Sequence, residues 1–202
     1  MHNKMRACRY CKTYEHSTRS CPTKVKTEST TLVEKKEEES LISEKELTKV
    51  HIEKEVVDKF REIIEMSKEV AKELGKRSVE GHYQKALGFE LQERGIIHSM
   101  EETIPVFYKK KYFLTTCRLD IILHNWLPII IETKAVTTNI CPSHVWQLQG
   151  YMERKNIQYG VVINFNKSYS KSGIQFQFVV KNDERYFTYD IETGMGEHMQ
   201  DY

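Results

Sequence analysis

Hydrophobic residues recur at intervals of three and four over two stretches in the first half of the chain, which predicts two amphipathic helices. Ser43 followed by Glu46 forms a capping box before the first helix, and Gly75 supplies its end. The second helix covers about residues 79–94 and ends at Gly95. The hydrophobic stripe of the first helix consists of Val50, Val56, Val57, Phe60, Ile63, Ile64, Met66 and Val70. The stripe of the second consists of Val79, Tyr83, Leu87 and Leu91.

The pattern then changes to runs that are rich in β-branched and aromatic residues, which favours strands. Residues 103–123 and 127–136 form such runs, and the turn-like HNWLP separates them. A helix over 142–154 follows, and then come three more strands with the sequences QYGVVINFN, GIQFQFVV and ERYFTYDI. The element order α-α-β-β-β-α-β-β-β predicts a mixed α/β domain over residues 43–192, and residues 193–202 are expected to form a flexible tail.

Composition separates this domain from a charged N-terminal part. The 202 residues are 39% apolar and 30% charged, with a formal net charge of +2. Residues 1–26 are basic, contain three of the five cysteines and have almost no aliphatic residues. Residues 27–42 mix Ser, Thr, Glu and Lys, which is typical of a solvated linker.

Hydropathy gives no sign of a membrane or secreted protein. No apolar stretch reaches the roughly 18–20 residues that a membrane span needs. The basic N-terminus also lacks the apolar segment of a secretory signal. We therefore expect an intracellular protein with reduced thiols and no membrane partner. The sequence does not distinguish nucleus from cytoplasm, and it does not indicate an oligomeric state.

The cysteines and a histidine in residues 1–26 have the spacing of a metal site. Cys8, Cys11, His16 and Cys21 follow the pattern C-x2-C-x4-H-x4-C. Three thiolates and one imidazole complete a closed tetrahedral zinc shell, in which metal binding supplies the folding free energy. The pattern resembles the CCHC zinc knuckle, so a structural Zn²⁺ is predicted in this segment.

Zinc knuckles commonly bind single-stranded nucleic acid, because exposed aromatic rings stack on bases and basic side chains contact phosphates. The residues that suit this role are Tyr10, Tyr14, Arg9, Lys12 and Arg19. Two alternatives stay open. The cysteines could be unrelated thiols in a disordered arm, or the knuckle could bind a protein.

Three charged residues interrupt the apolar runs of the predicted sheet. They are Asp120, Glu132 and Lys134, and alternation along a strand puts the last two on one face. If the two strands pair across the HNWLP turn, all three converge at one end of the sheet. Neighbouring carboxylates repel each other and favour a cation such as Mg²⁺ or Mn²⁺. An adjacent lysine would orient or deprotonate a water, or stabilise charge on a phosphate, which outlines a phosphodiester-hydrolysing site.

The segment RLDIILHNWLPIIIETKAV resembles the D-x(n)-E-x-K core of the PD-(D/E)XK nuclease superfamily. The surrounding chain is similar to the GxxExxY branch of that superfamily over about residues 52–180. The branch motifs are matched by Glu80 and Tyr83 (E-x-x-Y), residues 104–108 (IPV-x-Y), His144, Gln147 and Tyr151 (H-x-x-Q-x-x-x-Y), and residues 163–165 (INF). The resemblance implies a restriction-endonuclease-like mixed sheet flanked by helices, here preceded by the small zinc knuckle.

The resemblance also implies roles for individual residues. Asp120 and Glu132 would bind Mg²⁺ or Mn²⁺, Glu80 would add a third carboxylate, and Lys134 would be the catalytic lysine. Gln147 would position substrate or water, and Tyr83, His144 and Tyr151 would have supporting roles.

Two functions follow from these observations. The first is a metal-dependent nuclease acting on DNA or RNA, with a knuckle that recruits nucleic acid. The alternative is a non-catalytic nucleic-acid-binding adaptor that keeps the nuclease-like fold as a scaffold. Each motif residue taken alone also has a structural reading, as a surface ion pair, a turn cap or a core side chain. The sequence leaves open DNA versus RNA, endonuclease versus exonuclease action, and the number of metal ions.

Overall fold

The domain combines three helices with one sheet. A computed structural model of the chain describes residues 52–124, 127–166 and 173–199. The helices in these residues are α1 (Lys54–Leu74), α2 (Glu80–Glu93) and α3 (Pro142–Lys155). The strands are β1 (His98–Tyr108), β2 (Tyr112–Leu123), β3 (Ile129–Lys134), β4 (Tyr159–Asn164), β5 (Gln175–Asn182), β6 (Arg185–Asp190) and β7 (Met195–His198).

All seven strands form one sheet, in the order β1-β2-β3-β4-β5-β6-β7. β3 and β4 are parallel, and the other neighbouring strands are antiparallel. α3 connects the parallel pair, because parallel neighbours require a crossover and a tight turn cannot join them. The predicted mixed α/β sheet flanked by helices is confirmed.

Helices cover both faces of the sheet, so the protein has two hydrophobic clusters. α1 and α2 pack on one face against Ile129, Ile131 and Val161, and α3 packs on the other against Ile130 and Val162. Alternate residues of the central strands therefore enter opposite clusters. This explains the uninterrupted isoleucine run of β3, since a strand covered on both faces needs apolar side chains on both.

The helix boundaries agree with the sequence pattern at their C-terminal ends and differ at one N-terminal end. Gly75, with φ of 61°, ends α1, and Gly95, with φ of 70°, follows α2. α1 begins at Lys54, because Glu53 has an extended backbone (φ −60°, ψ 143°). The helix start predicted after Ser43 lies outside the described residues.

The C-terminal segment differs from the expected flexible tail. Met195–His198 form β7, which pairs with Phe187–Asp190 of β6, and Tyr189 pairs directly with Gly196. Glycine and methionine carry little strand propensity of their own, so the pattern gave no strand signal. The exposed edge of β6 decides the conformation, because it offers backbone partners to the returning chain.

Among the described residues, no helix is long and apolar enough to cross a membrane.

Phe60 provides a test of the core between α1 and the sheet. Its side chain is fully buried, with its ring centroid 4.4 Å from Phe178 and 6.4 Å from Tyr159. Phe60→Ala is expected to lower the free energy of unfolding by about 3–5 kcal/mol in urea denaturation, because it leaves a cavity. Phe89→Ala is the control, since 66% of that side chain is exposed. A cost for the control as large as that for Phe60→Ala would contradict this assignment of the core.

Candidate active site

Glu132 and Lys134 form a buried ion pair at the C-terminal end of β3. The Lys134 Nζ lies 2.5 Å from Glu132 Oε1, and the side chains are only 13% and 2% exposed. The second carboxylate oxygen, Glu132 Oε2, is buried and has no hydrogen-bond partner among the described residues. A buried acceptor without a donor is costly, which makes this oxygen a candidate ligand atom for a cation.

Asp120 lies beside this pair, where the ladder between β2 and β3 ends. The ladder pairs Ile121 with Ile131 and goes no further in this direction. Beyond this pair, the Asp120 side chain joins β2 to β3. Its Oδ2 accepts hydrogen bonds from Thr133 N (2.8 Å) and Thr133 Oγ1 (2.7 Å). The predicted convergence of Asp120, Glu132 and Lys134 is therefore present in the structure.

The strand geometry at Asp120 is less regular than simple alternation assumes. Leu119 packs in the cluster under α3, whereas Ile121 packs in the cluster under α1 and α2. Two residues that flank a single position normally share one face. The switch of sides therefore occurs at Asp120, next to Glu101, which has a positive φ of 55°. The side chains of β2 therefore do not alternate strictly between the two faces of the sheet at Asp120.

Burial raises the pKa of Glu132 to about 7. Repulsion from Asp120 and, more weakly, from Glu80 adds to this shift, and the ion pair with Lys134 opposes it. The carboxylates thus make a strongly negative, poorly hydrated site that favours a proton or a cation.

The Lys134 pKa is raised, although burial alone would lower it. Attraction to Glu132, together with its hydrogen bond and weaker attraction to Glu80 and Asp120, outweighs the desolvation. Each partner of the pair therefore holds its proton more firmly. Burial is the main cause for Glu132, with repulsion from Asp120 adding to it, whereas the surrounding carboxylates raise the pKa of Lys134. The lysine is accordingly a cation at neutral pH.

Glu80 and Tyr83, the two named residues of the E-x-x-Y motif, have different structural roles. Glu80 begins α2 and reaches the end of β3, where its Oε2 accepts a hydrogen bond from Ala135 N (3.3 Å). Tyr83 is buried one turn later, donates to the Gly75 carbonyl (2.6 Å) and stacks on Phe165 at 4.5 Å. Tyr83 therefore fixes the start of α2, and with it the position of Glu80.

The three predicted residues of α3 face the same region. Gln147 Nε2 donates to the Tyr151 hydroxyl (2.9 Å), and this hydroxyl donates to the Arg118 carbonyl (2.8 Å). The His144 Nδ1 accepts a hydrogen bond from Cys141 N (3.3 Å), so it caps the helix. Burial and the nearby charge of Lys134 lower the His144 pKa. These residues link α3 to β2 on the side of the sheet that carries Glu132.

Four further residues support the site and have no role in the sequence prediction. Thr133 binds Asp120, as described, and the buried Gln84 donates to the Asp120 carbonyl (3.1 Å). Asn164 and Gln175 hold the loop after Lys134. Asn164 Oδ1 accepts a hydrogen bond from Val136 N, and Asn164 Nδ2 donates to Thr138 O and to Gln175 Oε1. Gln175 Oε1 also accepts a hydrogen bond from Ile140 N. The only sequence signal of Thr133, Asn164 and Gln175 is a polar residue near the end of a strand, and Gln84 is a polar residue within α2.

The donor set at this site suits a hard divalent cation. Glu132 Oε2 lacks a partner, and Asp120 Oδ1 accepts no hydrogen bond from the residues that the structure describes. Mg²⁺ is commonly held by one or two carboxylates, with waters completing its octahedral shell. Across residues 52–124, 127–166 and 173–199, no three His, Cys, Asp or Glu side chains form a metal-binding group. Two carboxylates, those of Asp120 and Glu132, are therefore suited to hold the cation, whereas the Glu80 carboxylate accepts a hydrogen bond from Ala135 N.

The remaining predicted residues fall outside the described part of the chain. They are the zinc ligands Cys8, Cys11, His16 and Cys21 and the nucleic-acid contacts Tyr10, Tyr14, Arg9, Lys12 and Arg19.

The raised pKa of Glu132 predicts a pH-dependent stability for the metal-free protein. Between pH 4.5 and 7 the folded state keeps a proton that the unfolded chain has lost. The free energy of unfolding therefore falls as pH rises through this range, by on the order of 2–3 kcal/mol for this group. In Glu132→Gln this contribution is absent, and the amide oxygen still accepts from Lys134.

Urea denaturation with EDTA at pH 5 and pH 8 tests this expectation. The two proteins should have similar stability at pH 5, and the variant should be more stable at pH 8. Equal pH dependence in both proteins would contradict it.

Comparison with known families agrees with this geometry. A family model described as the PD-(D/E)XK nuclease superfamily matches residues 57–176, more than half of the chain. The match runs from α1 into β5 and contains all eight candidate residues of the domain. No curated protein and no solved structure gives a significant match. Proteins of this superfamily are generally nucleases, and the mixed sheet with helices on both faces is consistent with a restriction-endonuclease-like fold. The chain belongs to the PD-(D/E)XK nuclease superfamily.

Proposed function

We propose that this protein is a metal-dependent nuclease of the GxxExxY branch, which hydrolyses phosphodiester bonds in DNA or RNA. One observation carries the proposal: Asp120, Glu132 and Lys134 meet at the end of β3, and the buried Glu132 Oε2 has no hydrogen-bond partner in the described part of the chain. A structural ion pair would have no need of a neighbouring second carboxylate and an unsatisfied oxygen, because both reduce stability.

Asp120 and Glu132 would hold Mg²⁺ or Mn²⁺ through the two oxygens that lack partners. When bound, such an ion polarises a phosphoryl oxygen and makes a coordinated water more acidic. The chain contributes the rigidity of the site. Thr133 fixes the other Asp120 oxygen, and Lys134 fixes the other Glu132 oxygen. Each carboxylate is therefore held on one side and free on the other.

Lys134 would stabilise the negative charge that develops on the scissile phosphate. Its raised pKa keeps it protonated at neutral pH, which favours this role over removal of a proton from water. Gln147, held by Tyr151, would orient substrate or water from the α3 side. In the reaction a water oxygen forms the new P–O bond, the bond to the leaving oxygen breaks, and a proton passes to that leaving oxygen.

A cavity lined by lysines and aromatic rings suits a polyanionic substrate. It has a volume of about 400 Å³ and lies between α1, Tyr83, the residues that follow β4 and the start of β5. Three lysines line it together with aromatic rings: Lys68, Lys72, Lys76, Tyr83, Phe165 and Phe176. None of the three site carboxylates lines this cavity, and its link to the site is Tyr83 of the E-x-x-Y motif. Lysine and aromatic walls suit the phosphates and bases of a bound strand.

Residues 1–26 would act as a zinc knuckle that recruits single-stranded nucleic acid, and residues 27–42 would tether it to the domain. A tether raises the local concentration of substrate at the site without any new contact. The C-x2-C-x4-H-x4-C spacing and the surrounding basic and aromatic residues support this part of the proposal.

The test of catalysis is cleavage of labelled single- and double-stranded DNA and RNA by the full chain in Mg²⁺ or Mn²⁺. Asp120→Asn and Glu132→Gln should each lower the rate at least about 100-fold, because each removes a charged ligand from the transition state. Glu93→Gln is the matched control, since it changes an exposed carboxylate at the end of α2.

Two results would contradict the nuclease. One is the absence of metal-dependent cleavage on every substrate, and the other is equal cleavage by the wild type and the site variants. If binding to nucleic acid persists without cleavage, the protein is the non-catalytic adaptor.

Zinc content tests the knuckle separately. We expect one zinc per chain in the purified protein and none in Cys8→Ser/Cys21→Ser, with roughly tenfold weaker binding to a single-stranded oligonucleotide. Cys117→Ser is the control, because this cysteine is a half-buried free thiol of the domain. Equal zinc content in the wild type and the double variant would exclude the knuckle.

A further inference from the structure

The hairpin of β1 and β2 extends far past the candidate active site. β2 runs antiparallel to β3, so the chain before Asp120 continues beyond the end of β3 at Lys134. Residues 112–119 pair only with β1 in this part of the sheet. Eight residues from Asp120 to Tyr112 span about 26 Å. The hairpin tip thus projects from the end of the sheet at which Asp120, Glu132 and Lys134 lie.

The tip exposes an aromatic and basic surface. Five large hydrophobic side chains near the turn are between 49% and 62% exposed. They are Phe107, Tyr108, Tyr112, Phe113 and Leu114. Residues 103–117 contain three lysines, Lys109, Lys110 and Lys111, and no acidic residue. A hairpin that served only as structure would place polar residues at these positions, because no other element of the described residues covers these rings.

The turn has lysine at two positions where the backbone conformation disfavours it. Lys109 and Lys110 both have left-handed backbones, with φ of 52° and 55°, and Lys111 N donates to the Tyr108 carbonyl (3.1 Å). This turn normally contains Asn-Gly, because side chains other than Asn, Asp and Gly destabilise two successive positive φ angles. Strain retained at a surface turn indicates that the lysine side chains are needed there.

We propose that this hairpin tip binds single-stranded nucleic acid next to the site; the inference rests on the proposed nuclease function. The rings would stack on unpaired bases, and the lysines would contact the phosphates. The Lys109 and Lys111 ammonium groups already lie 5.3 and 5.2 Å from the Tyr108 and Tyr112 rings. A base–phosphate unit would therefore meet a ring and a cation together. A paired duplex offers its bases no such stacking contact, so the surface selects a single strand.

Two variants separate binding from stability. Lys109→Asn/Lys110→Gly relieves the strained turn, so its melting temperature should rise while its affinity falls. Removal of two phosphate contacts should also make the slope of log K against log[salt] less negative by about 1.4. Phe107→Ser/Phe113→Ser should weaken binding roughly tenfold or more through lost stacking. Phe89→Ser, which removes an exposed ring on α2, should leave the affinity unchanged.

Affinity is measured by fluorescence anisotropy of the full chain with labelled oligo(dT) and with a duplex of equal length. The buffer contains zinc and no added Mg²⁺ or Mn²⁺, so the measurement needs no cleavage. Weaker single-strand binding by both hairpin variants supports the proposal even if the wild type never cleaves. Unchanged affinity in both variants overturns it even if the wild type is an active nuclease.

Three other outcomes also overturn the assignment. The first is an equal loss of affinity for the duplex and for the single strand in the hairpin variants. The second is a hairpin-dependent shift from dimer to monomer in light scattering without loss of affinity. The third is hairpin-dependent binding to phosphatidylserine vesicles that exceeds binding to oligo(dT).

Discussion

The burial of a carboxylate at the end of β3 is the constraint on which the rest of this structure depends. Glu132 is buried, with one carboxylate oxygen bound to Lys134 and the other without a hydrogen-bond partner among the residues that the structure describes. A charge in such a place is unfavourable unless neighbouring groups or a ligand compensate for it. Lys134 supplies only part of that compensation, because Asp120 and Glu80 add further negative charge. The site is therefore arranged for a positively charged ligand.

Hydrogen bonds between residues that are distant in sequence hold the cluster of Asp120, Glu132 and Lys134 in place. Thr133 closes the gap where the β2–β3 ladder ends, and Asn164 holds the loop that follows Lys134. Tyr83 ties α2 to Gly75, so that Glu80 reaches the strand end. Each of these groups is largely buried and finds its partner in another element. The domain thus spends part of its stability on positioning, as is common at functional sites.

The hairpin and the site share one edge of the sheet for a topological reason. β3 is short and ends at the site, whereas its antiparallel neighbour β2 is twice as long and must overhang. In the part of the chain that the structure describes, no helix covers the overhang, and its apolar side chains are exposed. If the protein is a nuclease, this position of the aromatic surface would let the same domain carry both the reaction centre and a contact for the substrate strand.

The sequence by itself determined the element order as far as β6 and the residues of the candidate site, because each leaves a local signal of period, turn chemistry or spacing. It could not determine the irregularity at Asp120, strand β7, or the partners Gln84, Asn164 and Gln175. These depend on contacts between residues that are distant in the chain, such as the free edge of β6 and the end of a ladder. Spacing selects which residues carry charge, but only tertiary packing decides which oxygen is left without a partner.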